Sequence, residues 1–336
     1  MRLKVLLSPH GIGIGTLAQA LRERGVDATA CSFSNDIYAY LSDICLKLNE
    51  HPYREREAIR KAFFDEAKQK YDIFHFHFGE TLFQDKRDLQ ILKSLGKKMV
   101  VHHNGSDARL LSVARSFDNP HVVVKDTWPE ERIHANLKLL SSYIDHAIVN
   151  DYELVPYVEP YYKHVHIVPY AIDARGIEPA YPSPVSEPLV VHAPSHREIK
   201  GTEFVLDAVN RLEREGYRFQ FKLLENIPHS QVMRWYRQCT IAIDQLRIGT
   251  YANLSMELMA MGKPVICYIR DDLRGTFPPS MPIVSANPDT IYEVLKNLLN
   301  RPNDWKELGK QGRHYVEEQH NYRKVADLLI RIYRQL

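Results

Sequence analysis

Residues 241–269 read IAIDQLRIGTYANLSMELMAMGKPVICYI. An apolar run, Ile241-Ala242-Ile243, ends in polar Asp244 and Gln245, and a loop carrying Gly249 follows. A helical pattern then runs from Leu254 to Met261 and stops at Gly262, with Pro264 just beyond. Glycine after a helix and proline soon after are ordinary stop signals. A second apolar run, Val265 to Ile269, closes the stretch. Strand, loop, helix and strand in this order predict a right-handed parallel crossover, the unit of a doubly wound α/β sheet.

Glu257 breaks the apolar pattern, since Met256, Leu258, Met259, Ala260 and Met261 surround it. A carboxylate in such a helix needs hydrogen-bond donors or a shifted pKa. It stands in the first turns of a helix at the carboxyl end of a strand, where open α/β sheets bind ligands. There it can accept two hydrogen bonds from vicinal hydroxyls, as on a ribose. Taken alone, the same residue also fits a first-turn Glu that complements the helix dipole.

Outward from this stretch, strands and helices alternate twice. Leu189 to Pro194 reads as a strand, and Ser195-His196-Arg197-Glu198-Ile199-Lys200-Gly201-Thr202 leads into a helix from Glu203 to Gly216. Arg197 and Lys200 beside exposed helix N–H groups suit a diphosphate clamp, or a solvated basic turn. Phe219 to Leu224 is a further strand, and Asn226 to Ser230 opens a helix running from Gln231 to Cys239. Pro282 to Val284 reads as a short strand, Thr290 to Leu299 as a helix, and Trp305 to Leu336 as one or two helices.

In the first half, Leu3 to Leu7 is a strand, followed by a loop with Gly11, Gly13 and Gly15 and a helix through Leu17 and Leu21. Backbone N–H groups in such a loop approach anions or sugars, although a plain tight turn has the same composition. The glycines are spaced G-x-G-x-G rather than G-x-G-x-x-G, so Asp36 after the strand Ala28 to Phe33 makes a nicotinamide-dependent dehydrogenase a weak alternative. The alternation in Asp72 to Gly79 puts His75 and His77 on one strand face, and spacing alone indicates no third metal ligand. Met99 to His103 is another strand, of whose two final histidines only one points inward; Asn104 to Asp107 form a turn. Arg54 to Lys70 interleaves acids and bases as a solvated helix face does.

The chain has 336 residues, 44% hydrophobic and 26% charged, which predicts two packed domains. A net charge of +2 argues against a nucleic-acid binder that lives on phosphate contacts. Cys31, Cys45, Cys239 and Cys267 have neither paired nor metal-like spacing and fit a reducing, cytoplasmic compartment. No run approaches the ~20 apolar residues of a membrane span, and Val5-Leu6-Leu7 is too short for a signal peptide.

The run Met256-Glu257-Leu258-Met259-Ala260-Met261-Gly262-Lys263-Pro264-Val265-Ile266 resembles the EAMAxGxPVI signature of the family-4 glycosyltransferases of GT-B fold. Arg197 to Gly201 resembles that family's R-x-x-x-K-G element, with Arg197 one residue closer to Lys200 than is common. His164 to Asp173, HVHIVPYAID, resembles its interdomain segment, and Gly312 to Val316 and Ile330 to Tyr333 its C-terminal tail. The resemblance implies two Rossmann-like domains facing a cleft, over residues 1–170 and 187–315. A linker at 171–186, rich in proline from Pro179 to Pro184, and a last helix at 316–336 that packs back on the first domain complete the expectation.

It further implies a retaining transfer from a nucleotide-diphosphate sugar to a glycan or lipid-linked acceptor, with surface glycans as the usual products. Glu257 holds the ribose, Arg197 and Lys200 the diphosphate, and His103 the donor sugar, with His102 as fallback. Gly13 and Gly15 face the phosphates and acceptor, and Asn226 lies near the base. The family's second glutamate falls at Gly249 here, so Tyr251 and Asn253, with Thr250, are expected to take over sugar contacts. No Asp-x-Asp pair occurs, so no metal and no cofactor besides the donor is expected. A cytoplasmic protein with peripheral contact at the inner membrane face is the matching location. Two alternatives stand beside it: a nucleotide-binding scaffold without transferase activity, which Gly249 favours, and a nucleotide-sugar epimerase, which needs paired carboxylates.

Overall fold

The computed structural model describes residues 3–9, 13–34, 42–125 and 128–336. Asp36 and residues 10–12 of the glycine loop lie outside the described residues. The chain forms two units. The first comprises residues 1–110, 126–171 and 322–336, and the second 111–125 and 172–321.

Unit 1 is a parallel sheet of β1 (Lys4–Ser8), β2 (Asp27–Ser32), β3 (Ile44–Cys45), β4 (Ile73–His77), β5 (Lys98–His103), β6 (His146–Val149) and β7 (His164–Ile167), in spatial order β3-β2-β1-β4-β5-β6-β7. Its central strands are buried on both faces, as covered parallel sheets are: every residue of β4 is buried, while the edge strands β3 and β7 are only partly so. One face is covered by the helices Ile14–Glu23 and Tyr322–Tyr333. The second of these buries Tyr322, Val325, Ala326, Leu329, Ile332 and Tyr333, an i, i+3, i+4, i+7 stripe. Tyr322 donates its hydroxyl to Glu23, and Arg24 forms a two-pronged pair with Asp327 at 2.7 and 2.9 Å.

Unit 2 is a parallel sheet of β8 (Leu189–His192), β9 (Gln220–Leu223), β10 (Ile241–Ile243) and β11 (Val265–Ile266), in order β11-β10-β8-β9. The helix Thr202–Arg214 lays Val205, Ala208, Val209 and Leu212 on a core shared with Ile241, Ile243, Ile266, Leu295 and Trp305. The second apolar run of the crossover is shorter than its composition predicts. After Ile266 the backbone leaves the ladder, with Cys267 N–H donating to Val284 and Tyr268 N–H to Gln245, and Pro282 to Val284 contributes an isolated bridge to Ile266 rather than a strand.

Two boundaries differ from those expected. The proline-rich segment is extended but not loose: Arg313 donates to the carbonyls of Ala174, Ile177 and Ala260, and Ala180 N–H donates to Met261. Tyr181 lies so close over Gly262 that a Cβ there would meet its ring at 2.5 Å. This segment therefore belongs to unit 2. The last helical region divides at 321/322 rather than 315/316, because Trp305–Gln319 is one helix of unit 2 and Tyr322–Tyr333 begins a new one in unit 1. Among the described residues, no helix is long and apolar enough to cross a membrane.

Candidate functional site

Each sheet has a point at which neighbouring strands send their connections to opposite sides, and ligands of open α/β sheets bind outside the carboxyl ends of the strands there. In unit 2 it lies between β8, which connects to β9, and β10, which connects to β11 on the other edge. The loop after β8 carries His196, Arg197 and Lys200, and the loop after β10 carries Asp244, Gly249 and the start of the helix Asn253–Ala260 with Glu257. The two loops are joined: Leu246 N–H donates to the Lys200 carbonyl at 3.2 Å, and a Cβ on Gly201 would come within 3.1 Å of Leu246.

Lys200 departs from the expectation of a cation held ready for phosphate. Its side chain is buried, with Nζ donating to Asp244 Oδ1 at 2.5 Å and Gln245 Oε1 at 3.1 Å. Asp244, itself fully buried, also accepts from Ser255 Oγ at 2.6 Å in the first turn of the Glu257 helix. Lys200, Asp244 and Ser255 thus tie β8, β10 and that helix into one charged network. A buried lysine already neutralised by a carboxylate offers less field to a ligand than an unpaired one. Arg197 is the exposed cation, 44% accessible, and pairs with Glu203 and Glu225, both at 2.7 Å. Surface pairs of this kind exchange easily for a competing anion.

Glu257 is half-buried rather than fully buried as its apolar neighbours suggest. Asn253 begins the same helix and is also half-buried, and Asn226 stands exposed between β9 and the helix His229–Gln238, with left-handed backbone at φ 54°. Tyr251 is not available to a sugar. It is buried, and its hydroxyl bonds Tyr315 Oη and His320 Nε2, each at 2.9 Å. Gly249 is fixed by backbone geometry, since its φ is +97° and an added Cβ would lie 2.9 Å from Arg270 Cβ.

His192 ends β8 beneath these loops. Its Nδ1–H donates to the Ile243 carbonyl and its Nε2 accepts from Thr202 Oγ1, both at 2.9 Å. Burial pushes its pKa down to about 4, against the smaller opposing effect of the Ile243 hydrogen bond. His196, half-buried at the foot of the short helix Arg197–Lys200, has a buried Nδ1 without a hydrogen-bond partner. His196, Asp244 and Ser255 belong to this site, and sequence reading missed all three. Their only signal was position: His196 precedes Arg197, Asp244 ends the apolar run of β10, and Ser255 shares a helix with Asn253 and Glu257.

In unit 1 the corresponding point lies between β1 and β4. Gly13, at φ +86°, caps the helix whose second residue is Gly15, so both stand where the glycine loop enters the helix. After β4, Phe78 and Gly79 both take φ 60°. Left-handed backbone at a non-glycine residue is costly and gathers at functional sites. His103, expected at the donor sugar, is fully buried with both ring nitrogens occupied: Nδ1–H donates to Asp107 at 2.7 Å and Nε2 accepts from Tyr162 Oη at 2.9 Å. Asp107 also accepts from the backbone N–H groups of Asn104 and Gly105, which makes this histidine part of a rigid turn. A separate cavity of about 450 Å³ in unit 1 is lined by Arg60, Glu80, Lys86, Trp128, Arg132 and Asn136, among others.

A family profile described as "Glycosyl transferase-like" matches residues 195–331, which include the Arg197–Lys200 loop and Glu257. No curated protein matches the chain by sequence. Solved structures do match over its whole length. Sucrose-phosphate synthase from Thermosynechococcus elongatus superposes with a TM-score of 0.66 at 18% identity, covering 100% of this chain and 99% of the other. Anabaena HepE, in complex with UDP-glucose, gives 0.64 at 10% identity with 100% of both chains covered. The catalytic domain of Arabidopsis thaliana starch synthase IV, bound to ADP and acarbose, gives 0.65 at 11% identity, covering 100% and 99%. Parallel α/β sheets, the profile over residues 195–331 and these full-length superpositions establish a GT-B glycosyltransferase-like fold.

Proposed function

We propose that this chain is a retaining glycosyltransferase that moves a sugar from a nucleotide-diphosphate sugar to a hydroxyl of a glycan or lipid-linked acceptor. The observation that carries the proposal is the convergence of Arg197, Lys200, Asp244 and the Glu257 helix at the strand-order reversal of unit 2, inside the stretch matched by the glycosyltransferase-like profile. Glu257 accepts the two ribose hydroxyls. Arg197 exchanges its surface carboxylates for the diphosphate, and Lys200 is held in place by Asp244 rather than presented bare. In the transfer, the bond from the sugar's anomeric carbon to the diphosphate breaks. A bond to the acceptor oxygen forms on the same face, and the acceptor proton passes to the departing diphosphate. Positive charge brought to that group by Arg197 is the kind of electrostatic interaction that lowers such barriers. No metal is assigned to this step. The acceptor is assigned to unit 1, whose cavity brings together Trp128, three cations and the acids Glu80 and Asp85, a polar lining for sugar hydroxyls.

The test is a thermal-shift and calorimetry screen with UDP, GDP and ADP, each with and without EDTA. A ligand that binds only the folded form raises Tm. Glu257→Gln is expected to weaken the nucleotide by about tenfold, or about 1.4 kcal/mol, with Tm of the ligand-free protein unchanged. NMR of the product is expected to show a retained anomeric configuration. If no nucleoside diphosphate shifts Tm, or Glu257→Gln binds as tightly as the parent, the proposal is lost. Gly249 and the paired state of Lys200 favour a second reading, a nucleotide-binding scaffold. Tight nucleotide binding with no turnover of any donor would select it.

A further inference from the structure

His75 and His77 share one face of β4, and His102 stands opposite His77 on β5. All three are buried, at 0, 1 and 4% accessibility. Their rings are stacked or tilted against one another, with centroids 4.3 Å apart for His75 and His77, 5.1 Å for His77 and His102, and 5.7 Å for His75 and His102. One nitrogen from each comes within 4.8 Å of the other two. Two of these histidines also present a buried nitrogen that no protein group satisfies, Nε2 of His75 and Nδ1 of His102. Buried polar atoms almost always find partners, so two orphans side by side point to something that occupies them.

The remaining nitrogens are oriented from outside. His75 Nδ1 bonds Tyr333 Oη at 2.7 Å, and His102 Nε2 lies 3.0 Å from the Asn150 amide. As placed, the Asn150 Nδ2 faces His102 Nε2 and also donates to the Val168 carbonyl at 3.5 Å; turning the amide over gives up that long bond and lets the otherwise unpartnered Oδ1 accept from His102 Nε2–H. That leaves the Nδ1 lone pair of His102 inward, and Tyr333 accepting from His75 Nδ1–H does the same for Nε2. Metal-bound histidines typically have such outer partners, which fix the tautomer.

The geometry points to a three-histidine site for a zinc-class divalent ion within unit 1, held by His75, His77 and His102 and oriented by Tyr333 and Asn150. Three imidazoles without a carboxylate exclude magnesium and calcium, which take oxygen, and suit zinc or cobalt. Zinc with nitrogen ligands at about 2.0–2.1 Å requires them roughly 3.3 Å apart, inside the 4.8 Å within which they lie here, so the near-parallel rings must close in and turn toward the ion on binding. Three protein ligands leave one position of a tetrahedral ion for water or another small ligand. Spacing on β4 supplies only two of these ligands, and the third comes from the β4–β5 register. The proposal does not rest on the diphosphate step above, and its test reads metal rather than transfer.

The full-length protein, freed of any affinity tag and expressed with added zinc, is analysed by elemental mass spectrometry after dialysis. About one zinc per chain is expected, with Tm rising when zinc is added to chelator-stripped protein. Tyr333→Phe and Asn150→Ala leave all three ligands in place and are expected to weaken zinc ten- to a hundredfold in competition with a chromophoric chelator. Cobalt in place of zinc is expected to give the visible bands of a four-coordinate, nitrogen-rich site in the parent protein, a readout that does not depend on whether His77→Gln folds. Less than a tenth of an equivalent of zinc with no shift in Tm would overturn the site. So would full metal content retained by a folded His77→Gln variant but lost when His146 and His166, the half-buried pair on β6 and β7, are changed instead.

Discussion

At the scale of single residues, the deciding feature is which charges are already spent. Lys200 and Asp244 form a buried pair at 2.5 Å. Removing one partner of such a pair strands the other in the interior, at a cost of roughly 3–5 kcal/mol. Lys200→Ala is therefore expected to lower unfolding stability by that amount in urea titrations, so any fall in turnover mixes folding with chemistry. A variant with unchanged stability would show that the pair is not buried. Arg197, exposed and paired at the surface, is the cleaner probe of phosphate contact. Gly249 carries the second residue-scale prediction. Left-handed backbone costs a non-glycine residue roughly 1–3 kcal/mol, and Arg270 stands 2.9 Å from the Cβ position. Gly249→Glu, which restores the glutamate of the resembled family, is expected to lower Tm without raising turnover. A gain in turnover with Tm unchanged would contradict this.

At the scale of elements, β8 and β10 are pinned together by His192, neutral and doubly hydrogen-bonded between the Ile243 carbonyl and the Thr202 hydroxyl. Its pKa of about 4 in the folded protein lies below the unfolded value near 6.5. The unfolded chain therefore takes up a proton that the folded chain refuses. Stability from this group is intact above about pH 6.5 and falls as pH drops toward 4, by at most about 1.4 kcal/mol per pH unit. His192→Gln is expected to flatten that part of the stability–pH curve, measured by urea unfolding at stepped pH. A slope identical to the parent's would place the titrating group elsewhere. The same scale explains why Tyr251 differs from its expectation as a sugar contact. Its position beside the loop was legible, but its hydroxyl is directed at Tyr315 and His320, which follow more than 60 residues later.

At the scale of the molecule, the last helix is what closes unit 1. Tyr322, Val325, Leu329, Ile332 and Tyr333 lie in its core. Each large side chain buried is worth roughly 1.5–3 kcal/mol, so five together rival the whole stability of an ordinary domain, about 5–15 kcal/mol. Deleting residues 322–336 is expected to abolish cooperative unfolding of unit 1 and leave the protein aggregated, as read by circular dichroism and size exclusion. A monodisperse, cooperatively folded truncation would refute it.

The sequence by itself determined the alternation of strands and helices, the stop signals around 262–264, the loop-to-helix positions of Gly13 and Arg197 and the helical position of Glu257, because periodicity and local backbone preference are short-range. It did not determine which charges neutralise each other, which histidines lie side by side, or that the proline-rich segment is packed. Those depend on the order β11-β10-β8-β9 and on the β4–β5 register, which bring together residues tens of positions apart. A side chain's partner in the interior is chosen by that register, and nothing in its own neighbourhood along the chain encodes it.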